Sequence, residues 1–190
     1  MKGKIVVYAG PMFSEKSAEL ITAYGRAQLA HRSVLAFKPK MDDRFGQDVI
    51  KSRKIGEIPA INITNVEELK EYDVDVYIID EFQFLNGDVT VIDDMANRGK
   101  KFFIAGLDKT AEGKPFGLMP ELLAVADEVK KLTAVCVDCD REDDDDEAVI
   151  SFYLGEKDKD IVIGNSEYIP LCRKLWLARM KDKKNDNAGM

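Results

Sequence analysis

Gly10-Pro11-Met12-Phe13-Ser14-Glu15-Lys16-Ser17 separates two stretches of different character. Before it, Ile5 to Ala9 is short, apolar and rich in β-branched residues, which predicts a buried strand. After it, Leu20, Ala23, Tyr24 and Ala27 recur at helical spacing, which predicts a helix over about 16–30. A turn that leaves a strand and opens a helix on Lys-Ser is the setting of a phosphate-binding P-loop. In such a loop backbone N–H groups wrap the phosphates, the lysine neutralises them and the Ser hydroxyl reaches a magnesium ion. Gly10, Lys16 and Ser17 fit G-x-x-x-x-G-K-[ST], and Glu15 replaces its last glycine. That replacement puts a Cβ where backbone freedom is often needed, and a carboxylate beside a polyphosphate. A side chain turned to solvent would soften the repulsion. The bland alternative is a chance Gly-to-Lys turn at a helix start, and the strand–turn–helix setting argues against it.

Further strand patterns lie at Val34 to Phe37, Ala60 to Ile63, Val76 to Ile79, Phe102 to Ala105 and Thr133 to Val137. Helical patterns lie between them over 65–72, with Asn65 as N-cap, and over 88–98 and 122–129. Pro39 to Gln47 is polar and loop-like. Strands alternating with helices imply an α/β fold: a mostly parallel, P-loop NTPase-like sheet flanked by helices. The pattern changes near Val135. Arg141 to Glu147 holds four successive aspartates and is expected as a loop. Ala148 to Leu154 and Ile161 to Ile163 predict two strands of a hairpin or small sheet. Pro170 to Met180 predicts a last helix, and Lys181 to Met190 a polar tail. The expected organisation is a nucleotide-binding domain over 1–134, a small cysteine-bearing module over 135–180 and a tail over 181–190.

Ile78-Ile79-Asp80-Glu81-Phe82-Gln83-Phe84 puts two carboxylates at the C-terminal end of a buried strand. Ligands bind at that edge of an α/β sheet. An aspartate there can hold magnesium, and a neighbouring glutamate can take a proton from a hydroxyl nucleophile. An ordinary polar strand end is the alternative. The phosphate loop upstream favours the functional reading, because nucleotide-dependent folds pair the two motifs in this order.

Composition bounds the rest. With 45% hydrophobic and 33% charged residues in 190, the chain is expected to fold around a sizeable core. A net charge of −7 gives no general surface for a nucleic acid polymer. No apolar run is long enough to span a bilayer, and no leader pattern precedes the first strand, so a cytoplasmic location without membrane partners is expected. Three cysteines, Cys136, Cys139 and Cys172, are an odd number for a disulfide framework. His31 is the one histidine, which leaves little for histidine-based catalysis.

Several stretches together resemble the thymidine kinases of the cytosolic, tetrameric type. They are the phosphate loop, Asp80 to Phe84, Lys114-Pro115-Phe116-Gly117, Lys131 to Cys136, and Tyr168 with Cys172-Arg173-Lys174. The match runs in order from about Lys4 to Trp176. The resemblance implies transfer of the ATP γ-phosphoryl group to the 5′-hydroxyl of thymidine, a salvage step towards DNA synthesis. It implies ATP and Mg²⁺ as companions, with Zn²⁺ as a further candidate, and a homotetramer. By position, Gly10, Pro11, Met12, Phe13, Ser14, Glu15, Lys16, Ser17, Arg44, Asp80 and Gln83 would serve ATP. Ser17, Asp80 and Asp42 would serve magnesium. Glu81 would be the catalytic base. Met12, Phe84, Leu107, Phe116 and Tyr168 would surround the nucleoside.

The sequence departs from that pattern at identifiable places. Glu15 is one. The family has two C-x-x-C pairs, a tetrahedral zinc signature in a zinc-ribbon-like module. Here Cys136-Val137-Asp138-Cys139 is intact, but Leu175 stands where the fourth ligand belongs. A zinc ion on Cys136, Cys139 and Cys172 would need water, Asp138 or Asp140 as fourth ligand. The alternative is three reduced, partly buried cysteines. The family's A-x-x-T-x-R is Ala148-Val149-Ile150-Ser151-Phe152-Tyr153 here, without the arginine. An active nucleoside kinase is the first reading. Its alternative is an impaired or non-catalytic relative that binds nucleotide weakly or serves as a structural oligomer. A P-loop NTPase without a nucleoside substrate is a third.

Overall fold

The computed structural model describes residues 2–40, 48–139, 147–155 and 167–188. In chain order the elements are β1 (Lys4–Ala9), α1 (Lys16–Leu29), β2 (Val34–Pro39), β3 (Val49–Ser52), β4 (Gly56–Pro59), β5 (Ile61–Ile63) and β6 (Val76–Ile79). They continue with α2 (Thr90–Asn97), β7 (Lys101–Gly106), α3 (Met119–Val125), β8 (Glu128–Lys131) and β9 (Ala134–Val135). Last come β10 (Glu147–Ala148), β11 (Ile150–Tyr153), β12 (Tyr168–Leu171) and α4 (Arg173–Ala188). The described residues form a six-stranded parallel sheet of order β5-β2-β6-β7-β1-β8. The expected α/β architecture is therefore present.

Alternation along β1 explains why both faces of this sheet are covered. Ile5, Val7 and Ala9 join one apolar cluster, with Phe37, Tyr77, Phe102, Ile92 of α2 and Leu122 of α3. Val6 and Tyr8 join the other, with Leu20, Ala23 and Ala27 of α1. Phe37, Tyr77 and Phe102 form a stacked row, with centroids 5.9 and 4.9 Å apart. The second face is closed by more than a helix. β3 and β4 form an antiparallel hairpin whose Ile50 and Ile58 are buried in the same cluster as α1. The sequence reading did not anticipate this hairpin.

Four local expectations need correction. Residues 65–72 form a 3-10 turn, Val66–Glu71, closed by a capping box between Asn65 and Glu68. The helix expected to run to Val129 ends at Val125, and Glu128–Lys131 is an edge strand paired with β1. Three of its four residues are charged, so its pattern carries no apolar period. Its fixing contacts are distant: Asp127 accepts from the Ile5 N–H at 2.8 Å, and Glu128 meets Lys4 at 2.5 Å. β11 pairs with β12, in register Ser151↔Pro170; Ile161 to Ile163, expected as the second strand, lie outside the described residues. Pro170 is therefore a strand residue, and α4 starts at Arg173 and continues through the expected tail to Ala188.

The second half of the chain builds its own apolar cluster from Ala134, Cys136, Ala148, Phe152, Leu171 and Cys172. Trp176 packs against this cluster and donates its indole N–H to the Ala111 carbonyl at 2.9 Å. It also lies over Gly113, where a Cβ would come within 2.9 Å of the ring. The turn after β7 is thus held against α4.

Candidate active site

The phosphate loop is shaped by crowding and by two residues in the left-handed region. A Cβ on Gly10 would come within 2.2 Å of the Leu132 carbonyl oxygen, so only glycine fits there. Phe13 (φ 66) and Glu15 (φ 64) adopt backbone angles that side chains disfavour. Glu15 thus takes the conformation of the glycine it replaces. Its carboxylate, 44% exposed, is met by Lys54 Nζ at 3.2 Å. The charge that threatened the phosphate site has a counter-charge. Lys16 is buried in the loop and donates to the Pro11 carbonyl at 2.6 Å and to Ser14 Oγ at 3.4 Å. The Met12 N–H donates to Ser151 Oγ at 2.8 Å, which ties the loop to β11.

The acidic pair sits where β6 leaves the sheet. Ser17 Oγ donates to Asp80 Oδ2 at 2.8 Å, and the Glu81 N–H donates to Oδ1 at 2.9 Å. Burial, reinforced by the Glu81 charge, pushes the Asp80 carboxyl up to about 6 despite the hydrogen bonds from Ser17 and Glu81 and the nearby Lys16. Folded Asp80 then holds its proton more tightly than unfolded Asp80. Its contribution to stability is most favourable below pH 4, falls as pH rises to about 6, and is constant above that. In chelator-treated protein, the wild type should lose on the order of 3 kcal/mol relative to Asp80→Asn between pH 4 and pH 7. Urea unfolding of both proteins checks this, and a gap that does not change with pH would refute it.

Glu81 (φ 49) opens a 3-10 turn, Phe82–Phe84. Its Oε2 accepts from Gln83 Nε2 at 2.6 Å, and Gln83 Oε1 accepts from the Leu107 N–H at 2.9 Å. Because an N–H holds the oxygen end, the amide must turn its nitrogen to Glu81. Gln83, expected among the ATP-binding residues, is thus placed as a clamp on Glu81. Gly117 (φ 50) keeps this clamp in place, since a Cβ there would approach the Gln83 carbonyl to 2.2 Å.

Met12, Phe13, Glu15, Lys16, Ser17, Glu81 and Leu107 line one cleft of about 200 Å³. Its remaining lining is Lys51, Ser52 and Arg53, from the end of β3 and the hairpin turn. Phe84 and Phe116 meet edge to face at 5.4 Å, and Tyr168 lies against Tyr153 at 5.1 Å. Asp42 and Arg44 lie outside the described residues. Sequence reasoning missed Ser151 and the hairpin residues. The signal for the hairpin was present: two short runs with buried Ile50 and Ile58, joined by a turn ending in Gly56.

The three cysteine sulfurs lie within 4.8 Å of one another. The Cys172 N–H donates to Cys136 Sγ at 3.2 Å. Burial raises the Cys136 thiol, but hydrogen bonds from Cys139 and from the Cys172 and Asp138 backbones outweigh it, and the net direction is down. The hydrogen bond with Cys136, then burial, push Cys139 up. Leu175 packs against the cluster as an apolar neighbour. Asp138, expected as a possible fourth ligand, is paired with Arg179, and Asp140 lies outside the described residues.

A parallel sheet, a lysine-bearing loop opening α1, a Ser hydroxyl on a buried aspartate and a glutamate in the same cleft define a P-loop nucleotide-dependent protein. The model of the thymidine kinase family matches residues 3–176, and the chain belongs to that family. Curated relatives agree. A thymidine kinase of Bacteroides thetaiotaomicron is 39% identical over 186 residues, covering 95% of this chain and 91% of that protein. One of Mycoplasma mobile is 39% identical over 186 residues, covering 95% and 90%. One of Bacteroides fragilis is 36% identical over 187 residues, covering 96% and 92%.

Proposed function

We propose that the chain transfers the γ-phosphoryl group of ATP to the 5′-hydroxyl of thymidine. The observation that carries this reading is the convergence of Lys16, Ser17 and Glu81 on one cleft. Lys16 would leave the Pro11 carbonyl for the phosphates, whose charge it neutralises. Glu81, held by Gln83, would accept the proton of the 5′-hydroxyl as the oxygen attacks. Met12, Leu107, Phe84, Phe116 and Tyr168 supply apolar and aromatic surface for the nucleoside, and Asp42 and Arg44 belong to the same reading near the phosphates. Ser17 and Asp80 bring a neutral and an anionic oxygen together, the hard donors that Mg²⁺ prefers. Bound there, Mg²⁺ supplies charge neutralisation on the phosphates.

The same reading covers the rest of the molecule. Residues 1–134 act as the nucleotide-binding domain, 135–180 as a small module that covers the nucleoside, and 181–190 as its tail. The protein works in the cytoplasm as a homotetramer, and among the described residues no helix is long and apolar enough to cross a membrane. Cys136, Cys139 and Cys172 would hold a structural zinc ion, with a fourth ligand from outside the trio. The supporting observation is a backbone N–H on Cys136 Sγ, which favours the thiolate. Protein purified without chelator should carry about one zinc per chain, and Cys136→Ser should remove it and lower the Tm by at least about 5 °C. Zinc-free protein with an unaltered Tm would defeat the assignment.

ATP- and magnesium-dependent phosphorylation of thymidine, with deoxycytidine and no-nucleoside controls, tests the function. Turnover that requires thymidine is the expected result. ATP hydrolysis that ignores the nucleoside would overturn it.

A further inference from the structure

We infer that the tip of the β3–β4 hairpin is a phosphate-binding arm of the active site, with Arg53 as its anion-contacting group and Lys54 as the counter-charge that makes Glu15 tolerable. This rests on nucleotide binding at the loop opening α1. The hairpin is anchored at its base. Ile50 and Ile58 are buried against α1, and Lys38 Nζ donates to the Val49 carbonyl at 3.3 Å. Its turn is shaped by the Lys54 N–H, which donates to Ser52 Oγ at 3.2 Å, and by Gly56 at φ 101. The tip therefore sits on a fixed support.

That support places the tip against the two loop residues held in left-handed backbone. The Arg53 guanidinium lies 5.2 Å from the Phe13 ring centroid, and Lys54 Nζ lies 3.2 Å from Glu15. This cation–π contact holds the guanidinium at a cleft it shares with Lys16, Ser17 and Lys51. In a chain of net charge −7, the cleft lining still carries more cations (Lys16, Lys51, Arg53) than carboxylates (Glu15, Glu81). A planar guanidinium with fixed donors suits the paired oxygens of a terminal phosphate, and its charge is available as negative charge shifts during transfer. Lys54 has a different task. Glu15 precedes Lys16 directly, and its carboxylate would repel a triphosphate if left uncompensated. With Lys54 on it, the local charge of the pair is zero.

The two tasks give distinguishable results in direct binding. Calorimetry on the full chain would use magnesium-ATP and inorganic tripolyphosphate as probes, with thermal unfolding as a folding check. Arg53→Gln should weaken both probes about tenfold or more, and Arg53→Lys should recover part of the loss. Lys54→Ala should weaken both about fivefold in the natural background. In Glu15→Gly protein, which has no carboxylate to neutralise, Lys54→Ala should change affinity less than about twofold. Arg53→Gln within twofold of the parent would overturn the arm. An equal Lys54→Ala effect in both backgrounds would overturn the pairing with Glu15. Failure of the parent chain to bind either probe would instead overturn nucleotide binding at the loop, and the arm with it.

Discussion

Replacing Glu81 by glutamine is expected to lower kcat for thymidine phosphorylation by about a thousandfold while leaving ATP affinity within a few-fold of the parent. Glutamine keeps the length of the side chain but cannot accept the hydroxyl proton. The backbone at Glu81 is left-handed, and glutamine meets the same local strain there as glutamate, so the fold is not asked to absorb a new cost. In the proposed reading Glu81 meets the hydroxyl and not the phosphates, so ATP binding does not require its carboxylate. Steady-state kinetics with both substrates varied would separate kcat from the two KM values. A kcat within tenfold of the parent would remove Glu81 from the role of base.

Replacing Lys16 by methionine is expected to lower kcat/KM for ATP by about a thousandfold. Methionine fills a similar apolar stem, so the loss reports the ammonium group. Lys16 is buried and already engaged with Pro11 and Ser14, which places its charge inside the loop before nucleotide arrives. Charge fixed in a site shielded from water acts more strongly than the same charge in solvent. The unfolding free energy should stay within about 1 kcal/mol of the parent, because the buried ammonium and its desolvation cost leave together. ATP kinetics near the parent's would show that the loop does not bind phosphate through this residue.

The parts of the site that could be read in the sequence are those whose chemistry lies in one short stretch. The loop from Gly10 to Ser17 and the pair Asp80–Glu81 are each contiguous, and strand-to-turn geometry dictates where their side chains go. Glu15 was legible as a departure, but its outcome was not. Its tolerance depends on Lys54, which reaches it only because β3 and β4 fold back over α1. Ser151 was unreadable for the same reason: a buried hydroxyl between Ile150 and Phe152 gives no hint that it will meet the Met12 N–H. Gln83 is expected among the ATP-binding residues, but its bonds to Glu81 and to the Leu107 N–H, which fix how its amide is turned, could not be read from the sequence. In the fold, strands buried on both faces announced themselves by apolar runs. The edge strand Glu128–Lys131 did not, because one flank of an edge strand has no partner and its charges carry no period.

Trp176 is the chain's single tryptophan, and it sits at the joint between the turn after β7 and helix α4. The molecule therefore carries one indole fluorophore, placed at the seam between that turn and α4. Indole emission shifts to longer wavelength as water reaches the ring, so spectral position tracks that seam alone, while circular dichroism tracks the sheet and helices together. With excitation selective for the indole, a comparison of the two signals during unfolding resolves whether α4 leaves that turn before the sheet melts, without any label being attached.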